Sequence, residues 1–139
     1  MTCTFFGHRD ATEDIKPKIY EVLCELIENH QADLFYVGNQ GKFDAMVRSV
    51  LISLKEKYSH IRYYVVLAYL PKKDDFDFSD TIYPEGLENV PPRYAISRRN
   101  KELVKKSDIV ITHVIYPWGG AAQFKEMAEK LGKRVTNIV

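Results

Sequence analysis

Val37-Gly38-Asn39-Gln40-Gly41-Lys42-Phe43-Asp44 joins a run that reads as a strand, Asp33-Leu34-Phe35-Tyr36-Val37, to an amphipathic segment that reads as a helix. Two glycines between a buried strand and a helix start permit a tight turn. Its backbone N–H groups face outward at the positive end of the helix dipole, which makes a phosphate-sized anion site. Strand, glycine turn and helix in that order point to a Rossmann-type cleft.

Upstream of this unit, Thr2 to Phe6 is β-branched and aromatic and stops at Gly7-His8-Arg9-Asp10, a first strand ending in a polar loop. Ile15, Ile19, Val22, Leu23, Leu26 and Ile27 then recur at helical spacing, with Thr12 or Asp14 available as a cap and Pro17 in the first turn. Downstream, Phe43, Met46, Val47, Val50, Leu51 and Leu54 form the stripe of a second helix. Tyr63-Tyr64-Val65-Val66-Leu67 is a third strand, ending at Pro71.

Residues 71–92 break the rhythm with charges and prolines, and read as a long loop. Its Phe76, Phe78 and Tyr83 could close over a ligand or partner; the plainer alternative is a solvated insertion with a short helical turn. Arg93 to Lys106 is a third helix and Ile109 to Ile115 a fourth strand. Gly119-Gly120 opens a last helix that turns Phe124, Met127, Ala128 and Leu131 inward and stops at Gly132, and Arg134 to Val139 is a terminal strand.

Strands alternating with helices predict an α/β fold: a single Rossmann-like three-layer sandwich spanning 1–139, with a five-stranded parallel sheet in the order 3-2-1-4-5. In that order the chain reverses between strands one and four, and ligands bind at such a point, outside the carboxyl ends of the strands. The loops holding Gly7-His8-Arg9, the first glycine turn, Pro71 onward and Tyr116-Pro117-Trp118-Gly119-Gly120 all follow strands and share that edge.

A length of 139 residues suits one domain with a real core. Twenty basic and nineteen acidic side chains leave a formal net charge of +1, which argues against general adhesion to nucleic acid or membrane. Any anion must be held locally. Cys3 and Cys24 suit reduced thiols better than a disulfide. The first residues lack the pattern of a signal peptide and no stretch has the length of a membrane span, so a cytoplasmic location is expected.

Gly38-Asn39-Gln40-Gly41 lacks the third glycine of the dinucleotide fingerprint and the Gly-Lys-Ser/Thr of a Walker A loop. A second strand, glycine, helix arrangement at Gly119-Gly120 changes its weight, because two helix starts then converge on one ligand. Asp44 either complements the dipole of its helix or hydrogen-bonds ribose hydroxyls or an arginine. Arg9 and one of Arg98 and Arg99 are candidate phosphate forks, since neighbouring arginines cannot share a helix face. His8 and His113 end or nearly end adjacent strands, as a hydrogen-bonding or acid–base pair or as structural histidines. Tyr116 and Trp118 can stack on a base or shield the cleft. No nucleophile triad, metal cluster or cofactor motif stands out.

With these residues in place the chain resembles the SLOG superfamily, which joins DprA-type DNA-processing proteins to LOG phosphoribohydrolases, and most closely its YpsA-like branch. Phe6-Gly7-His8-Arg9 is similar to the opening Thr-Gly-His-Arg signature, and Gly38 to Asp44 to the glycine-rich turn ending in Gly-x-Asp. Arg99-Asn100 before Ser107-Asp108 and the late pair Gly119-Gly120 complete the match. The resemblance implies a nucleotide or nucleotide-derived small molecule, often recognised through sugar and phosphate, here by Gly7, His8, Arg9, Gly38, Asn39, Gly41, Asp44, Arg99, Asn100, Gly119 and Gly120, to which the residue reading adds Trp118. It implies no cofactor and allows a homodimer. Against the LOG motif Pro-Gly-Gly-x-Gly-Thr-x-x-Glu, Gly119, Gly120 and Glu126 match, while Trp118, Ala122 and Gln123 depart. A phosphoribohydrolase acting through Glu126 and Arg99 is therefore an alternative, as is a regulatory partner protein with a degenerate cleft that docks through residues 71–92.

Overall fold

The computed structural model of the chain describes residues 1–70 and 79–139. Its strands are β1 (Thr2–Gly7), β2 (Leu34–Val37), β3 (Arg62–Val66), β4 (Thr81–Ile82), β5 (Ile109–His113) and β6 (Arg134–Asn137). The helices are α1 (Lys16–Asn29), α2 (Lys42–Lys57), α3 (Pro92–Lys106) and α4 (Gly120–Lys130). All strand pairs are parallel and the sheet runs β4-β3-β2-β1-β5-β6.

The sheet thus has six strands where five were expected, and its order differs from 3-2-1-4-5 by an added edge strand outside β3. That strand lies inside the expected loop 71–92, which also carries a 3-10 turn at Leu87–Asn89 and the first residue of α3. A two-residue strand has no period to read. It exists because β3 offers an open edge: Val65 N–H donates to Asp80 O at 2.7 Å and Leu67 N–H to Ile82 O at 2.9 Å. Asp80 is further held by Arg48, whose Nε and Nη2 each donate at 2.8 Å, and by the Tyr63 hydroxyl at 2.9 Å. Phe76 and Phe78 lie outside the described residues. Tyr83 is half-buried against the core.

The central strands are buried on both faces, as their continuous apolar character requires. Cys3, Phe5, Phe35, Val37, Ile109 and Ile111 pack on one face with Ile19 and Leu23 of α1 and Val47 and Leu51 of α2. Phe6, Val66 and Val110 pack on the other with Leu103 and Val104 of α3 and Phe124 and Ala128 of α4. Leu131, expected inward, is half exposed because α4 has ended at Lys130. Neither Thr12 nor Asp14 caps α1; the Thr12 hydroxyl donates to the Asp14 carboxylate instead. Among the described residues, no helix is long and apolar enough to cross a membrane.

β1 sits between β2 and β5, so the chain's direction of winding reverses across the β1–β5 pair. Their register brings Gly7 beside His113. The loops after β1, β2 and β5 therefore open side by side at one edge of the sheet, and Tyr69, just past β3, ties that edge to the start of α3 by donating to Pro92 O at 2.8 Å.

Candidate functional site

The turn between β2 and α2 is shaped by what crowds it. At Gly7, a Cβ would come within 2.3 Å of the Phe43 ring, so this glycine lets the first turn of α2 seat against the end of β1. At Gly38, a Cβ would fall 2.7 Å from Asp44 Oδ2 and 3.0 Å from Arg99 Nη2. Gly41 caps α2 with φ +92°, a conformation that excludes side chains, and a Cβ there would also meet Arg9 Cα at 2.8 Å. The turn closes on itself: Lys42 N–H donates to Arg9 O at 3.0 Å, and Gln40 N–H to Asp44 Oδ2 at 2.9 Å.

Asp44 and Arg99 are a buried pair of opposite charges facing each other across Gly38. Burial dominates the Asp44 carboxyl and raises its pKa to about 6, opposed by the Gln40 N–H, Arg99 and Arg9. Burial likewise lowers the pKa of the Arg99 guanidinium, opposed by Asp44 and Tyr69. Arg99 is only 3% exposed, and donates from Nε to Asn100 Oδ1 and from Nη1 to Val66 O, each at 3.1 Å. Its remaining nitrogen, Nη2, is the one beside Gly38 and Asp44. Arg98 is exposed and lines only a neighbouring groove beside Pro84 and Leu87, which Arg99 also borders, so the buried Arg99 is the inward member of the pair.

The turn between β5 and α4 is built differently. His8 is buried, and its Nε2 accepts the Ile115 N–H at 3.1 Å. A backbone N–H can only donate, so this ring is neutral with its proton on Nδ1. Burial and His113 lower its pKa, with Asp10 opposing, which agrees with that state. His113 in turn donates from Nδ1 to Ile138 O at 2.8 Å. The two histidines are thus held separately by backbone groups, with ring centroids 6.0 Å apart. Tyr116 stacks on His8 at 3.7 Å and 10°, and Trp118 on Tyr116 at 4.6 Å and 25°.

Gly119, with φ +94°, then caps α4, and neither it nor Gly120 would bring a Cβ near any other atom. No side chain caps this helix, and its first internal bond runs from Gln123 N–H to Gly119 O at 3.1 Å. The N–H groups of Gly120, Ala121 and Ala122 lie in the turn that has no intrahelical acceptor.

A cleft of about 420 Å³ lies between these turns. Of the expected residues it is lined by Gly7, His8, Arg9, Gly38, Asp44, Arg99, Asn100, Gly119 and Gly120. Asn39, Gly41, Trp118 and Glu126 do not line it. Asn39 is exposed and accepts from Gln40 Nε2 at 3.3 Å. Glu126 lies on the outside of α4, its side chain 68% exposed and paired with Lys130 at 3.0 Å. Sequence reasoning missed Asp10, Gln40, Ile96, Leu103 and Ala121 as lining residues. Asp10 and Gln40 stand inside the very stretches that were singled out, and Ala121 follows the second glycine pair; position in a glycine-bounded turn was signal enough for all three. The Arg9 side chain makes no hydrogen bond or ion pair among the described residues, and Arg9 lines the cleft.

The two glycine turns therefore differ chemically. At α2 the first N–H is taken by Arg9 O, and a carboxylate occupies the turn; at α4 the first N–H groups have no partner among the described residues. An anion is favoured at α4, beside Arg9, and hydroxyl groups at Asp44 and Arg99. Among the described residues no cluster of three or more His, Cys, Asp or Glu side chains could hold a metal ion. No protein-family model matches the chain, and no curated protein matches it.

Proposed function

We propose that the cleft binds a nucleotide or nucleotide-derived small molecule, with its phosphate over the start of α4 and its sugar toward Asp44 and Arg99. The observation that carries this reading is the buried Arg99, which lines the same cleft as the start of α4 and whose Nη2 has no hydrogen-bond partner among the described residues. Desolvating a guanidinium is expensive, and leaving part of its donor set unused is tolerated where a ligand completes it. The resemblance to YpsA-like members of the SLOG superfamily supports the same ligand class. A phosphoribohydrolase would need Glu126 beside Arg99, and its pairing with Lys130 on the solvent side of α4 favours binding over turnover.

Calorimetry with nucleoside 5′-monophosphates, ADP-ribose and cyclic nucleotides tests the proposal. Binding that Arg99→Ala abolishes is the expected result. Absence of heat across that panel, with a folded protein, would sink it. Release of free base over time would revive the enzymatic reading.

A further inference from the structure

We infer that the exposed indole of Trp118 is a stacking seat for a planar heteroaromatic base, so that the ligand is a nucleotide and not a bare sugar phosphate. This rests on the reading of the cleft given above and adds the chemical group that stands outside it. His8, Tyr116 and Trp118 form one continuous stack that starts in the core and ends in solvent, from 5% exposed at His8 to 66% at Trp118. The inner end is fixed: His8 is buried, its ring nitrogen holds the Ile115 N–H, and Tyr116 lies nearly parallel to it.

Tyr116 is thus stacked with both His8 and Trp118, and among the described residues the indole stacks with no ring other than Tyr116. The protein has ordered a large apolar ring in water, stacked on Tyr116 and directly before the Gly119-Gly120 turn, both of which line the cleft. A phosphate on the α4 amides and a base on Trp118 would lie on consecutive residues of one loop. Stacking on an aromatic side chain is tolerant of base identity, because every base presents a π-face. The seat therefore selects for the presence of a base more strongly than for which base.

Trp118 is the single tryptophan of the chain, so its emission reports this seat directly. The full chain is titrated with adenosine, guanosine and cytidine 5′-monophosphates and with ribose 5-phosphate, which carries the same sugar phosphate without a base. The nucleotides should quench Trp118 and bind roughly 5- to 100-fold more tightly than ribose 5-phosphate. Trp118→Ala should bring them down to the level of ribose 5-phosphate, and Trp118→Phe should recover part of the difference. Equal affinities for nucleotides and ribose 5-phosphate in the native chain would overturn the inference and leave the sugar-phosphate cleft standing. So would an equal loss for both in Trp118→Ala. No binding of any of the four compounds would remove both.

Discussion

Gly41 and Gly119 hold the same backbone conformation, φ +92° with ψ −177° and φ +94° with ψ 174°, as caps of the two helices that begin at the cleft. Their surroundings are opposite: Gly41 is pressed against Arg9, whereas Gly119 has open space on the side where a Cβ would project. The pair separates backbone strain from crowding within one protein. Gly119→Ala should cost only the strain, about 1–3 kcal/mol. Gly41→Ala should cost the same strain plus displacement of the Arg9 backbone, and so clearly more. Urea denaturation of the two variants measures the difference, and equal losses would mean that the Arg9 contact is not tight.

Asp44 should make the protein less stable as pH rises. Its folded pKa of about 6 lies above the ordinary value of 3.8, so the folded state holds the proton more tightly than the unfolded chain between those values. Stability therefore falls from about pH 4 to pH 6 and levels off above. Asp44→Asn mimics the protonated form and should be the more stable protein at neutral pH by up to about 3 kcal/mol, the gain vanishing below pH 4. Denaturant midpoints at pH 4 and pH 7.5 check this. The same substitution should weaken ligand binding, the signature of a residue kept for function at the expense of stability.

His8 acts in the other direction. Its pKa is lowered from 6.5, so the unfolded chain takes up the proton first, and the contribution of neutral His8 is complete above 6.5 and lost as pH falls below it. Protonation removes the acceptor for the Ile115 N–H at the base of the aromatic stack. The near-ultraviolet circular dichroism of Tyr116 and Trp118 should change on acidification with a midpoint below 6.5. A midpoint above 6.5, or none, would show that the stack does not depend on this bond. Measuring in the Asp44→Asn background removes the opposing titration.

Asp80 anchors the sixth strand through its charged bonds with Arg48 and its bond from the Tyr63 hydroxyl. Asp80→Ala leaves those donors without this acceptor and should destabilise the chain by roughly 1–3 kcal/mol. Amide exchange should localise the change: faster exchange is expected at Val65 and Leu67, whose N–H groups meet Asp80 O and Ile82 O. Uniform loss of protection across the sheet would argue against a local anchor.

The long elements were legible because burial imposes a period on the sequence. Phe43 through Leu54 repeats at helical steps, and all of Phe43, Met46, Val47, Val50, Leu51 and Leu54 are buried. Strand β5 is a continuous apolar run apart from Thr112 and His113, and every residue in it is buried. Strand β4 was hidden because two residues carry no repeat and their pairing is supplied by backbone groups of β3. Glu126 matched a motif by letter, yet its position on the outer face of α4 follows from Phe124 and Ala128 turning inward.

Local chemistry in the chain was enough to mark both glycine turns, to set strand against helix, and to limit the inward-facing members of two neighbouring arginines to at most one, because torsional freedom and side-chain periodicity are properties of adjacent residues. It could not say that Arg99 is the inward one, that Gly38 is squeezed between Asp44 and Arg99, or that the α2 start is closed while the α4 start is open. Those facts belong to residues far apart in the chain, and they arise only when the packed sheet brings the ends of β1, β2 and β5 to one edge and forces buried charges to find or lack a partner there.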